Sequence, residues 1–421
     1  MPIKTAINTW IDDNKQKYIE LLQKMVQQPS TQGNEKQVQS LVADFLHELN
    51  LVVDVWDLDG ERLQKHPYFN ATRTAFTNSP NVVGVLKGKG GGKSIILNGH
   101  VDVVPEGDHA QWDHAPYSGK VADGKMYGRG ATDMKGGNTA LMMALGAFQS
   151  LNIRLKGDVI FQSVIEEESG GAGTLDAILK GYTADAAIIP EPTNMKIFPK
   201  QQGSKWFRLS VPGRTAHGGT RYQGVSAIDK ALLVNEHIKE LETKRNEGLK
   251  DPLYANNPIP IPINMGLIKG GDWPSSVPDL VQLEGRIGIA PNEKVEAVQS
   301  ELQQWMELLG EKDAWFKEHP VQVEWFGARW LPGEMESGHP LMNALASNFE
   351  AETNEVPTME ASPWGTDGGL LSQVGNTPSV VFGPGITGLA HFPNEAIELE
   401  KVFQAAKIIA ATVVDWCGAA E

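Results

Sequence analysis

Short apolar runs alternating with helical stretches restrict the fold of this chain more than any other feature. Runs at 82–86, 94–97, 158–164, 186–189 and 379–382 are separated by helical spacing at 138–150 and 175–179. A sheet with helices packed against it is the architecture that buries such runs, so the expected class is α/β. Two helices open the chain, at 5–28 and 34–49, the second with Val38, Leu41, Val42, Phe45, Leu46 and Leu49 at helical spacing. VVDVWDL from Val52 reads as a strand. The polar stretch 59–80 that follows is too long for an ordinary connection and reads as a surface insertion rimming a pocket.

Residues 203–330 have a different texture. Segment 205–211 alternates, 225–244 is helical, 261–269 and 281–289 are strand-like, 293–309 is helical and 321–326 alternates again. That order, βαββαβ, is the split βαβ unit. Because the earlier pattern resumes afterwards, the expected organisation is a catalytic domain at 1–202 and 331–421, interrupted by an inserted α+β, ferredoxin-like domain at 203–330.

Charge and cysteine usage narrow the class of partner. With 37 Lys and Arg against 52 Asp and Glu, the net charge of −15 repels phosphate backbones and anionic lipid, so neither nucleic acid nor membrane is an expected partner. Cys417 is the single cysteine, which excludes an intrachain disulfide and a cysteine-rich metal site and fits a reducing cytosol. The N-terminus carries charges throughout and no signal-peptide apolar segment, so the expected location is cytoplasmic. GKGGGKS at 88–94 imitates a phosphate-binding loop, but position 87 is lysine where glycine is required and a strand follows instead of a helix. A glycine-rich hairpin turn is the reading adopted for it.

The chemistry-bearing residues fall at strand ends. His100 and Asp102 follow SIILN, Glu166, Glu167 and Glu168 end DVIFQSVI, Glu191 ends AAIIP, and His391 comes soon after SVVF. In open α/β sheets the ligand crevice lies beyond the carboxyl ends of the strands, so distant segments can deliver these groups to one place. Asp133 arrives just before a helix, whose N-terminus favours an anion. Two imidazoles with several carboxylates and no thiolate suit zinc, with cobalt or manganese as alternatives. Five such ligands can hold two ions about 3.5–4 Å apart, bridged by Asp133 or by water, and hydrolysis is the natural use. His-x-Asp supplies a ligand with a carboxylate placed to orient its ring. Three consecutive glutamates at a buried strand end repel one another unless cations neutralise them. Of the other histidines, His47 and His237 read as helix-surface residues and His66, His109, His114, His319 and His339 as loop residues.

NGHVDVVP (98–105), YGRGATDMKGG (127–137), IEEESGG (165–171), PEPT (190–193), GRTAHGG (213–219) and AHFPNE (390–395) occur in this order. In that combination the chain resembles the dinuclear metal aminoacylase and carboxypeptidase family, which includes acetylornithine deacetylase, succinyl-diaminopimelate desuccinylase and the glutamate carboxypeptidases. The resemblance implies two divalent ions per chain on His100, Asp133, Glu168, Glu191 and His391, with Asp133 bridging. It also implies Glu167 as general base, Asp102 orienting His100, and an inserted domain that forms a homodimer in which His217 reaches the partner's site. Asn264, Arg286 and Thr366 resemble substrate-contacting positions. One departure concerns Gln201 and Gln202, which stand where the desuccinylase branch has an arginine pair; neutral amides cannot replace charge-assisted bonds to a succinyl carboxylate. The expected function is a metal-dependent amidohydrolase removing a small N-acyl group from an amino acid or related amine, N-acetylornithine first. A dipeptidase or carboxypeptidase, a desuccinylase and an N-formyl amine deformylase are the alternatives within the family. A non-catalytic metal-binding relative is the alternative of another class, and it predicts a missing ligand or base where none is missing.

Overall fold

The apolar runs pair where the alternation places them. The structure is a computed structural model that describes residues 2–71 and 73–420. The chain divides into one unit of Met1–Lys200, Gly333–Glu360 and Thr366–Glu421, and another of Gln201–Pro332 with Ala361–Gly365.

In the first unit the large sheet runs Val52–Asp57, Pro80–Leu86, Val159–Val164, Ile95–His100, Ala187–Ile189, Ser379–Val381, Ile197–Gln201, Gly333–Glu334. Val159–Val164, Ile95–His100, Ala187–Ile189 and Ser379–Val381 run parallel to one another, with His100 level with Val164. Their carboxyl ends therefore open on one edge, and the residues that follow them are brought to that edge by register alone. Pro80–Leu86 does not pair with Ile95–His100, because Val159–Val164 lies between them. The glycine-rich segment 88–94 is thus a crossing connection rather than the expected hairpin turn, held by Lys89 N–H to the Leu155 carbonyl at 2.9 Å and Gly90 N–H to the Lys156 carbonyl at 2.8 Å.

Helix Gly136–Ser150 is buried from Gly136 through Phe148, because helices Ile3–Val26 and Leu399–Cys417 cover it. Its apolar sequence suits a helix enclosed on every side. Gly137 is required by close approach, since a Cβ there would run into the Pro190 carbonyl oxygen at the strand end that carries Glu191. A small sheet of Ala396–Glu398, Lys125–Tyr127 and Lys120–Ala122 ties the segment before Asp133 to the segment after His391. Among the described residues, no helix is long and apolar enough to cross a membrane.

The second unit is an antiparallel sheet in the order Ile263–Gly270, Leu280–Ile289, Gly203–Pro212, Gln322–Trp330. Strand Gly203–Pro212 alternates buried and half-buried positions, which sends Phe207, Leu209 and Val211 to one face, against helix Ala227–Glu247. Ser204, Trp206 and Arg208 take the other face; there Trp206 pairs with Arg286, and Arg286 with Asn264. Residues Ala361–Gly365 join this unit through Ala361, which packs with Tyr254, Ile261 and Ala290. His237 is not on the helix surface as expected. It is 2% exposed, stacks on Trp305 with centroids 4.9 Å apart, and exchanges hydrogen bonds with that residue's carbonyl and indole N–H.

Candidate metal centre

The three glutamates separate by geometry. Glu166 takes a left-handed conformation (φ 65°), and Glu167–Ser169 form a single tight turn after it. Glu166 turns away from the centre and pairs with Arg73 at 2.6 Å, while a second guanidinium nitrogen of Arg73 reaches Glu35 at 2.7 Å. Arg73 comes from the 59–80 segment, which thereby acts as a counter-charge carrier. Glu167 and Glu168 keep their carboxylates for the centre, and their amide N–H groups donate to the Asp102 carboxylate at 3.3 and 3.2 Å.

Asp133 lies between the two histidines. Its Oδ1 is 3.2 Å from His100 Nε2 and its Oδ2 is 3.3 Å from His391 Nε2. Glu191 Oε1 lies 3.7 Å from His100 Nε2, and Glu168 Oε2 lies 3.1 Å from His391 Nε2. Glu167 Oε2 stands 4.0 Å from His100 Nε2. Ligand atoms of His100, Asp133 and Glu168 lie within 4.8 Å of one another, as do those of His100, Glu167 and Glu191. On the far side of the His100 ring, Nδ1 meets the Asp102 carbonyl oxygen at 2.8 Å, closer than the Asp102 carboxylate at 3.6 Å. The main chain of Asp102 is thus the nearer orienting partner, while its carboxylate anchors the glutamate turn.

Two residues outside the expected set hold the loops in register. Glu395 Oε1 accepts from the N–H groups of Thr132 and Asp133 at 2.9 and 3.1 Å, and its Oε2 pairs with Arg129 Nη1 at 2.6 Å. Arg129 Nη2 donates to the His391 and Pro105 carbonyls at 3.2 and 3.4 Å, and its guanidinium lies over the Trp112 ring. One buried ion pair therefore joins the backbone at Asp133 to the backbone at His391.

The electrostatics show a shortage of positive charge. Burial raises Glu167 well above the usual carboxylate range, and Glu191 adds to the effect. Burial likewise pushes Glu191 up to about 7, with His100 opposing and Asp133 reinforcing. Burial disfavours charge on both imidazoles, yet Glu191 and Asp133 outweigh it at His100, and Glu168 and Asp133 outweigh it at His391, which rises to about 11. Burial also opposes charge on Asp133, but hydrogen bonds from both histidines hold it below the usual range. A buried nitrogen and oxygen donor set that draws in protons this strongly fits divalent cations.

The remaining expected residues fall in both units. Thr366 is buried in the first, its hydroxyl accepting from the Gly368 N–H at 3.0 Å. His217 is exposed in the second, and its Nδ1 accepts from the Gly219 N–H at 3.0 Å, which leaves the proton on Nε2. Asn264 and Arg286 are cross-strand partners on the face opposite helix Ala227–Glu247. Arg286 Nε and Nη2 are buried without a hydrogen-bond partner among the described residues, and burial lowers its guanidinium to about 10.

An α/β unit with imidazoles and carboxylates converging at its strand ends, interrupted by a split βαβ unit, defines a metallohydrolase architecture. The model of peptidase family M20/M25/M40 matches residues 96–415, and the chain belongs to that family. It is 31% identical to the N-formyl-4-amino-5-aminomethyl-2-methylpyrimidine deformylase of Bacillus subtilis strain 168, over 97% of this chain and 96% of that one. It is 26% identical, over 87% of this chain and 94% of the other, to a Staphylococcus aureus strain MSSA476 protein named "Probable succinyl-diaminopimelate desuccinylase". The fold resembles that of the di-peptidase Dug1p of Saccharomyces cerevisiae, with a TM-score of 0.75, 17% identity and all of both chains covered. The protein is accordingly a hydrolase of N-acyl amide bonds with a candidate metal site.

Proposed function

We propose that this protein removes a formyl group from a heteroaromatic amine of the aminopyrimidine type, at a centre for two divalent ions. The observation that carries the chemistry is Asp133, whose two oxygens face two different imidazoles, each with its own further glutamate. His100, Asp133 and Glu191 would hold one ion and His391, Asp133 and Glu168 the other, zinc first and cobalt or manganese as alternatives. When bound, such ions polarise a scissile carbonyl and lower the pKa of water.

Glu167 stands beside this cluster with its carboxyl raised by burial, as a proton carrier at a hydrolytic site requires. It takes the proton of the attacking water and returns one to the leaving amine nitrogen. The His217 Nε2–H would donate to the oxyanion from the partner chain of a homodimer. The substrate is a small cytoplasmic N-acyl amine.

Support for the formyl aminopyrimidine comes from the relationship over nearly the full length to the deformylase, and from Gln201 and Gln202, which offer a succinyl carboxylate no charge. The same relationship favours the N-formyl amine over N-acetylornithine. A second reading, an N-acyl amino acid, is favoured by the Arg286 donors, because a guanidinium binds a carboxylate in bidentate fashion. The two separate when metal-reconstituted protein is assayed on N-formyl-aminomethylpyrimidine, N-acetylornithine, an N-succinyl amine and a dipeptide. The formamide should give the highest kcat/KM, and a higher value on any carboxylate-bearing substrate would overturn the proposal.

A further inference from the structure

The turn that carries Glu167 is gripped at both of its ends by the 59–80 segment. Before the turn, Arg73 places Nε 2.6 Å from the Glu166 carboxylate and Nη2 2.7 Å from that of Glu35, while its Nη1 donates to the Ser79 hydroxyl at 3.1 Å. Both glutamate side chains are fully buried, and the guanidinium is mostly so. Ser79 Oγ in turn donates to Glu35 at 2.8 Å, which holds the arginine and its second partner in one arrangement. After the turn, Arg62 pairs with the buried Asp176 of helix Ala172–Leu179, whose other carboxylate oxygen accepts from the Trp56 indole N–H at 2.7 Å. The segment is fastened where it rejoins the sheet, with the Asn78 N–H donating to Asp57 at 3.0 Å.

Glu166 passes that grip to its neighbours. It stands in the left-handed region at φ 65°, a conformation that a residue with a side chain keeps only where its surroundings hold it. Its carbonyl accepts from the N–H groups of Ser169 and Gly171 at 3.3 and 2.7 Å, which closes the turn, and its carboxylate is drawn to Arg73. With Glu166 fixed, the next two amides meet the Asp102 carboxylate, and Glu167 and Glu168 present their side chains to the centre. Gln32 Nε2 and Ser169 Oγ also reach Glu166, at 3.0 and 3.2 Å, but neither supplies charge. Without the arginine, two buried carboxylates are left at one site with no cation, and swinging Glu166 out of its conformation relieves them. That movement carries Glu167 and Glu168 with it. A lysine does not replace the arginine, because a point charge lacks the planar fork that fixes two carboxylates at once.

We propose that Arg73 is a positioning residue for the reaction, acting through Glu166 to hold the proton carrier Glu167 and the ligand Glu168 at the metal centre; the inference rests on the role of Glu167 given above. The 59–80 segment is then a strap that sets the geometry of a turn outside itself. Displacing a reacting group by about 1 Å can cost about 10²-fold in rate, so a residue that never touches substrate can govern turnover.

The test compares full-length wild type, Arg73→Gln, Glu167→Gln and the double variant, each saturated with zinc and assayed well below its melting temperature on the N-acyl amine that wild type cleaves fastest. Arg73→Gln should lower kcat by about 10²-fold with KM nearly unchanged. In the Glu167→Gln background the same change should cost little more, because residues that act as a unit are not additive. Chelator competition, which needs no substrate, should show zinc held about 10–100-fold more weakly in Arg73→Gln, through the displaced Glu168. Arg73→Lys is the second variant if Arg73→Gln does not fold, and it should show the same pattern at smaller amplitude. A lower melting temperature with wild-type kcat and zinc affinity would make Arg73 a structural ion-pair partner and overturn the proposal. Equal fold-losses from Arg73→Gln with and without Glu167 would overturn it too, since the effect would then bypass the proton carrier. If Glu167→Gln by itself keeps kcat within about tenfold of wild type, the reading of Glu167 falls and this proposal with it. If Glu167→Gln is impaired and Arg73→Gln is not, that reading stands and the proposal alone falls.

Discussion

Arg129, buried in the first unit, and Arg286, half-buried in the second, have surroundings built on different plans. Arg129 directs both terminal nitrogens to fixed partners, Glu395 and the carbonyls around His391, and leaves its Nε without a hydrogen-bond partner among the described residues, as does Arg245, so the difference lies in the terminal nitrogens. Arg286 keeps Nε and Nη2 without a hydrogen-bond partner among the described residues, on the sheet face that also carries Gln202. The inserted unit can neutralise an arginine where it needs to, since Arg245, 4% exposed, pairs with Glu293 at 2.7 Å and also with Glu301. The contrast teaches that the strand-end loops are held by their own hydrogen bonds, as electrostatic catalysis requires, whereas the sheet face of the inserted unit leaves side-chain donors without a protein partner among the described residues. Substitutions in the first region should therefore act on turnover or metal affinity, and those on the sheet face on KM and substrate preference.

The sharpest break between the regions is expected at Glu167. Glu167→Gln preserves size and should retain metal by elemental analysis at two ions per chain, while kcat falls by about 10²–10⁴, the usual contribution of a positioned proton carrier. A variant within tenfold of wild type in kcat would remove Glu167 from the reaction. Metal content saturating at one ion per chain with full activity would remove the second ion.

His217 blurs the division, because it lies in the inserted unit and is given a part in turnover. His217→Ala should lower kcat by about 10²–10³, the value of one oxyanion donor. Mixing Glu167→Gln and His217→Ala proteins and allowing their subunits to exchange gives mixed dimers in which one site carries both defects and the other neither. Activity should return towards half of wild type per mixed dimer if His217 acts across the dimer. No recovery despite demonstrated exchange would place its action within its own chain.

A smaller effect is expected from the clamp around the centre. Glu395→Gln weakens the pairing to Arg129 and the grip on the Asp133 backbone, so metal affinity should fall about 10–100-fold, as for other outer-sphere partners. Competition against a chelator measures this without any substrate. Unchanged affinity would show that the small sheet at Ala396–Glu398 holds the loops by itself.

What the sequence disclosed and what it withheld follow the range of the interactions. The convergence of His100, Glu167, Glu168 and Glu191 was legible because each lies at or just beyond the end of an apolar run, and parallel strands bring such ends to one edge, whereas His391 arrives ten residues after its strand. The clamp was not legible, since Arg129 and Glu395 lie far apart in the chain and a lone arginine in a glycine-rich loop carries no local signal. Arg73 was hidden in the same way inside a stretch whose composition said only loop. The glycine-rich segment 88–94 looked like a hairpin because turn chemistry is local, whereas the strand that separates its neighbours comes from residues 159–164. His237 on an amphipathic helix looked exposed, and only the packing of Trp305 against it explains its burial.

The smallest effect tests the comparison most directly, through the two arginines of the inserted unit. Arg245→Leu removes a cation whose nitrogens also reach the Gly288 carbonyl at 3.0 Å, and it leaves Glu293 and Glu301 side by side. Because those carboxylates are about one-third exposed, water can recover part of the loss, and the expected cost is about 1 kcal/mol in denaturant unfolding. Arg286→Leu removes a desolvated guanidinium with unpaired donors, so it should leave stability unchanged or raise it. A substrate-binding role for those donors predicts a raised KM all the same. If Arg286→Leu instead destabilises the protein as much as Arg245→Leu, its guanidinium serves the fold, and the sheet face is no different in kind from the loops around the metal centre.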